Sequence, residues 1–222
     1  MGTKAFLLCA AAIAAAAGSA VPAAAEQGDV LLRVRGIYVT PTEESGDILP
    51  AFPGEGVELT DAVAPEVDIT YMATDHVGIE LIAATTKHEA RGVTGTTGSL
   101  GDLVKTWVLP PTVTLQYHFL PEGAVRPYVG AGVNYTIFWD EEAQDPLTDA
   151  VGPTDVSLSD SFGWAVQAGV DIDISDRFFL NLDAKYIDMD TDVRLDTTAA
   201  GRQGVDVDVN PFVFGVGFGM KL

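Results

Sequence analysis

The fold of this chain is decided by its last fourteen residues, Val209-Asn210-Pro211-Phe212-Val213-Phe214-Gly215-Val216-Gly217-Phe218-Gly219-Met220-Lys221-Leu222. Phe212, Phe214, Val216, Phe218, Met220 and Leu222 recur at every second position, and the period of a strand places all six on one face. The opposite face carries Gly215, Gly217, Gly219 and Lys221. In a soluble sheet the large apolar face looks inward onto other large residues. Here the same alternation recurs along the chain with charged residues opposite the apolar ones, so the apolar face is predicted to look outward. That inversion is the pattern of a transmembrane β-barrel.

Working back from this strand, the alternation predicts eight strands at about 29–40, 65–74, 77–86, 112–119, 126–139, 156–174, 177–189 and 209–222. The connections alternate in length. Asp75-His76, Pro121-Glu122-Gly123 and Ser175-Asp176 read as tight turns, whereas 41–64, 87–111, 140–155 and 190–206 read as long loops rich in Gly, Pro, Asp, Glu and Thr. An even strand number with short turns at one end and long loops at the other describes an outer-membrane barrel, short turns in the periplasm and long loops outside. The expected fold class is therefore all-β, an eight-stranded antiparallel transmembrane barrel. Closure is required because an open edge in lipid leaves N–H and C=O groups unpaired.

At the other end, Lys4 precedes an apolar stretch from Phe6 to Ala17, and Ala23-Ala24-Ala25 stands before Glu26. This reads as a signal peptide over 1–25, cleaved after Ala25, leaving a barrel domain over 26–222. Its apolar core is shorter than the ~20 residues that a membrane helix needs. Cys9 is expected to leave with the leader, which excludes disulfides and thiol chemistry from the rest. The formal charge is −20, and with 32 acidic against 12 basic residues nucleic acid is excluded as a partner.

No cofactor or metal is expected. Asp188, Asp190 and Asp192 resemble the start of a calcium loop, but Val193 and Ala199 stand where an EF-hand needs Gly and Glu. His76, His88 and His118 lack the spacing of a zinc site or a nucleophilic triad. Gly130 and Gly132 lie in a strand with no helix after them, which is not the setting of a phosphate loop.

Two segments carry a family resemblance: Leu109-Pro110-Pro111-Thr112-Val113-Thr114-Leu115-Gln116-Tyr117-His118-Phe119 and Arg126-Pro127-Tyr128-Val129-Gly130-Ala131-Gly132-Val133-Asn134-Tyr135-Thr136. They resemble the OmpW family of outer-membrane proteins, and the likeness extends over 26–222. It implies an eight-stranded barrel that carries small hydrophobic compounds across the outer membrane.

Strand direction sets the height of each inward residue. Arg33, Arg35, Glu80, Arg126, Asp171, Asp173, Asp183 and Lys185 fall low and are expected to pair as a charged plug, with His118 beside them. Ile37, Val39, Ile82, Phe138, Ile187 and Met189 fall higher and are expected to line an apolar lumen for a hydrophobic ligand. A ligand held above a plug would have to leave sideways. Pro41 and Pro65, each without an N–H, point to a weak seam between the first and second strands. Expected partners are membrane lipid and lipopolysaccharide, a small hydrophobic ligand, and the barrel-assembly machinery on the closing strand. The alternative function is a non-transporting structural or adhesive barrel. An enzyme is not expected, because no acid, base and nucleophile converge near the outer rim.

Overall fold

The computed structural model describes residues 25–42 and 44–222. The leader expected over 1–25, with Lys4 and Cys9, lies outside them except for Ala25. In chain order the strands are β1 (Val30–Thr40), β2 (Glu44–Ser45), β3 (Val57–Leu59), β4 (Ala62–Met72), β5 (Val77–Ala84), β6 (Thr86–Gly92), β7 (Asp102–Leu109) and β8 (Thr112–His118). There follow β9 (Val125–Ala143), β10 (Thr154–Leu158), β11 (Ser161–Asp173), β12 (Phe178–Ile187), β13 (Asp190–Thr197), β14 (Gly201–Asp208) and β15 (Phe212–Lys221). Short helices at Gly95–Leu100 and Asp145–Val151 lie between strands.

Eight of these strands close a barrel in the order β1, β4, β5, β8, β9, β11, β12, β15 and back to β1, each pair antiparallel. The closing contact runs from Leu31↔Lys221 to Thr40↔Phe212. It pairs the backbone of the C-terminal segment on both sides, since β12 holds its other edge. Each wall strand alternates as its sequence requires. In β15 the even-numbered residues Phe212 to Phe218 are exposed and the odd-numbered ones from Val213 to Gly219 are buried. Large apolar groups such as Ile69, Leu81, Leu115, Val133 and Val216 cover the outside. Aromatic residues mark the two ends of this band. Tyr71, Tyr117, Phe119 and Phe178 lie towards the short turns, and Tyr38, Tyr135, Trp164, Tyr186 and Phe212 towards the long connections.

The long connections are only partly loops. The segment 87–111 builds β6 and β7, which pair from Thr86↔Val108 to Arg91↔Asp102, and 190–206 lies within the β13–β14 hairpin. β9 continues past 139 to Ala143 and holds β7 on its edge, while β10 pairs with β13. The wall is thus extended beyond the outward apolar band, and there its polarity reverses. Lys87, Arg91, Asp190, Asp192, Asp196, Asp206 and Asp208 face outward to water. Thr191, Leu195, Val205 and Val207 face inward. A strand in lipid must be apolar outside, but the same strand in water is free to be apolar inside.

Glu55 and Glu142 lie at the end of the barrel that carries the long connections and Glu122 in a short turn at the other end, which an outer-membrane barrel is expected to place outside and in the periplasm respectively. Cysteines introduced singly at Glu55 or Glu142 are expected to react with an impermeant maleimide on intact cells, and one at Glu122 is not. Labelling in the reverse order would invert the orientation.

Candidate functional site

The lower lumen is filled by charge. Arg33 donates from Nη1 to Asp68 Oδ1 at 2.9 Å and to Thr70 Oγ1 at 2.8 Å, and from Nη2 to Asp171 Oδ2 at 2.9 Å. Arg35 lies 2.7 Å from Glu66 and 2.6 Å from Asp68, and its Nη1 donates to Asn181 at 3.0 Å. Lys185 Nζ donates to Glu66 at 2.9 Å and Asp183 at 2.7 Å. Glu80 stands 3.6 Å from both Arg33 and Arg35 and accepts from Thr114 and Gln167. Tyr128 donates its hydroxyl to Asp183 at 2.8 Å, and Asn181 donates to both Tyr128 and Asp171. The pair Arg126–Asp173, 2.5 Å apart, joins from below through Phe179, whose ring faces the guanidinium groups of Arg126 and Arg33. Leu31, Met72 and Phe179, all buried, finish the base.

The structure brings Arg33, Arg35, Glu80, Asp171, Asp183 and Lys185 together in one network of buried ion pairs, with Arg126 and Asp173 paired just beneath. Sequence reasoning left out Glu66 and Asp68. Both are fully paired here, and a cross-strand signal for them exists, because Glu66 stands opposite Arg35 and Asp68 opposite Arg33. Their inclusion changes the balance to six carboxylates against four cations.

The glycines of β15 give these groups their space. A Cβ at Gly217 would lie 2.1 Å from the Val34 carbonyl oxygen and 2.6 Å from Arg35 Cα, and one at Gly219 would lie 2.2 Å from the Phe179 ring. The stripe opposite the greasy face of the closing strand thus lets Arg35 and Phe179 lie close against the wall.

Above the plug the lumen opens into a chamber with about 1200 Å³ of empty space, its open mouth included. Ile37, Val39, Ile82, Phe138, Ile187 and Met189 all stand on its wall. The extended strands add Val207 and also Val57, Leu103, Val108, Leu195 and Val205, five residues that sequence reasoning assigned to loops. Glu66 and Lys185 form its floor. One side is more polar, with Thr86, His88, Thr106 and Thr112. His88 contacts the Thr60 carbonyl at 2.8 Å and Thr86 Oγ1 at 3.0 Å. Burial pushes its imidazole below the ordinary value, against the pull of the Thr60 carbonyl and Asp61, so it is neutral at pH 7.

The wall of the chamber has a break. β4 pairs with β5 only as far as Glu66↔Ala84, and β3 takes over opposite β6 at Leu59↔Ala90. Among the described residues no ladder pairing joins Ala62–Pro65 to Thr85–His88. The cause is local. The last pair of β4 with β5 is Glu66↔Ala84, and the next residue of β4 towards the gap is Pro65, which has no N–H to offer Thr85, where β5 gives way to β6. The seam expected between the first two strands is not there: β1 and β4 pair continuously from Val30↔Tyr71 to Val39↔Ala62, with Pro65 opposite Gly36. Pro65 lies at the edge of the gap on the other side of the same strand. Val63, at the gap, is 80% exposed.

Comparison with known proteins agrees with this architecture. The sequence model of the OmpW family matches residues 26–222. Outer membrane protein W of Vibrio cholerae is 36% identical over 216 residues, which cover 96% of this chain and 98% of that protein. The crystal structure of the outer membrane protein OprG from Pseudomonas aeruginosa superposes with a TM-score of 0.84 at 31% identity, covering 90% of this chain and 99% of that one. The dibenzothiophene metabolism operon protein PahQ of Pseudomonas aeruginosa is 32% identical over 145 residues, 63% of each chain.

Proposed function

The chain belongs to the OmpW family and is an outer-membrane barrel, and we propose that it admits small hydrophobic molecules from outside into its upper chamber and releases them sideways into the membrane. The observation that carries this reading is the pairing of an apolar chamber with a floor of buried ions. A hydrocarbon gains from leaving water for the walls around Ile37, Val39, Ile82, Phe138, Ile187 and Met189, at roughly 25 cal/mol per Å² of apolar surface removed from water. It gains nothing by displacing paired ions below, since breaking such a network leaves charges buried and unpartnered. The gap between Ala62–Pro65 and Thr85–His88 supports a sideways route, because opening it breaks no ladder hydrogen bonds. A relative named for a dibenzothiophene metabolism operon is consistent with apolar cargo.

The same reading assigns the surroundings. Residues 1–25 direct export as a signal peptide and are then cleaved. Lipid covers the outward face, and lipopolysaccharide meets it at the upper aromatic level. The barrel-assembly machinery recognises β15, where Phe212 to Phe218 face outward.

Uptake of a radiolabelled hydrocarbon by cells with and without the protein tests the function. The route is tested by Val63→Cys with Lys87→Cys, joined across the gap by a short bis-maleimide. Cross-linked barrels should fold yet take up hydrocarbon no faster than cells lacking the protein. Full uptake with the link formed would exclude exit at that seam.

A further inference from the structure

We propose that the chamber discriminates by charge, admitting neutral apolar compounds and turning away carboxylates of the same length, with Glu66, Asp183 and Lys185 as the residues that set the discrimination. This rests on the reading of the chamber as a ligand site. Among the described residues that line it, only Glu66 and Lys185 carry a formal charge, and they stand side by side at its floor. Lys185 is the one cation there that a ligand could reach, and it is already held between Glu66 at 2.9 Å and Asp183 at 2.7 Å. Arg35, next below, is committed in turn to Glu66 and Asp68. The floor and plug together hold six carboxylates against four cations, a formal surplus of two negative charges.

A carboxylate brought to this floor would be desolvated without a free cation and would face that surplus at short range. The mouth adds to the effect. Asp140, Asp149, Asp155, Asp206 and Asp208 are exposed around the extended wall, so an anion is opposed before it enters. A neutral polar group meets no such barrier. Thr86, His88 and Thr106 on the polar side of the chamber offer it hydrogen bonds, so an alcohol is accepted where the matching acid is not.

The test uses the folded barrel in phosphatidylcholine nanodiscs at pH 9, with isotope-labelled isoleucine methyl groups at Ile37, Ile82 and Ile187 reporting on the chamber. 1-Decanol and decanoate are titrated as matched probes, each expressed as its concentration in the bilayer. Decanol should shift the three methyl signals, and decanoate should need on the order of tenfold more, as net repulsion at close range implies. Glu66→Gln leaves Lys185 with one carboxylate fewer and should narrow the gap severalfold. Asp183→Asn serves the same purpose if Glu66→Gln does not fold. Equal affinity for the two probes would overturn the proposal while leaving the chamber a ligand site, as would an unchanged gap in the folded variants. If neither probe moves the signals, the chamber is not a ligand site and both readings fall.

Discussion

Replacing Arg33 with methionine is expected to cost about 3–5 kcal/mol of folding stability, the penalty for breaking a buried ion network by removing one partner. Arg33 is fully buried and satisfies Asp68, Asp171 and Thr70 at once. The variant keeps most of the side-chain volume, so the loss measures the stranded carboxylates rather than a cavity. Adding Asp171→Asn should recover part of it. Arg91→Ala is the contrasting case. Arg91 and Asp102 are only 2.5 Å apart, but their side chains are 47% and 41% exposed, and water replaces the lost partner. Its urea midpoint should not move. Unfolding in phosphatidylcholine vesicles, followed by tryptophan fluorescence, measures all of these. Equal stability of Arg33→Met and the parent would show that the plug does not hold the lower barrel together.

Arginine at Val216 is expected to cost about 2–4 kcal/mol, because the middle of β15 faces lipid near the midplane. The next residue fails for the opposite reason. At Gly217 even an alanine Cβ would stand 2.1 Å from the Val34 carbonyl, so Gly217→Ala must push the β1 backbone or Arg35 aside. Val216→Leu should fold as the parent does. The same vesicle assay decides the matter, and a normal folding yield for Val216→Arg would mean that the face assignment of the closing strand is reversed.

The membrane part of the fold was legible because lipid imposes a strict rule on each strand. Phe214, Val216 and Phe218 outside, with Gly215, Gly217 and Gly219 inside, admit one reading. Inward parity likewise identified Arg33, Arg35 and Lys185. Glu66 and Asp68 were visible on the same face but were not recognised as members of the plug, because their role depends on register. Opposite Arg35 and Arg33 they become partners; one residue of slip would send them into lipid. The extended hairpins were misread for another reason. In water the outer face of a strand is polar, so Thr86-Lys87-His88-Glu89-Ala90-Arg91 and Asp190-Thr191-Asp192-Val193-Arg194-Leu195 have the composition of loops. Each hairpin pairs locally, β6 with β7 and β13 with β14, but it is held in the wall by partners farther along the chain: β7 against β9, and β14 against β2. Tertiary contacts of this kind leave little trace in local composition. The seam shows the same limit. Pro65 marks an interrupted ladder, but only the registers of β1 and β5 show on which side of β4 the interruption falls.

Sideways release requires a chamber that is open above and shut below. Single-barrel recording in planar lipid bilayers with potassium chloride on both sides addresses this most directly. A base filled by Arg33, Arg35, Asp68, Asp171 and Phe179 predicts no steady open state, only the bare bilayer baseline with brief, infrequent events. A steady conductance that scales with salt concentration would mean an aqueous path runs through the plug, and sideways release would lose its reason.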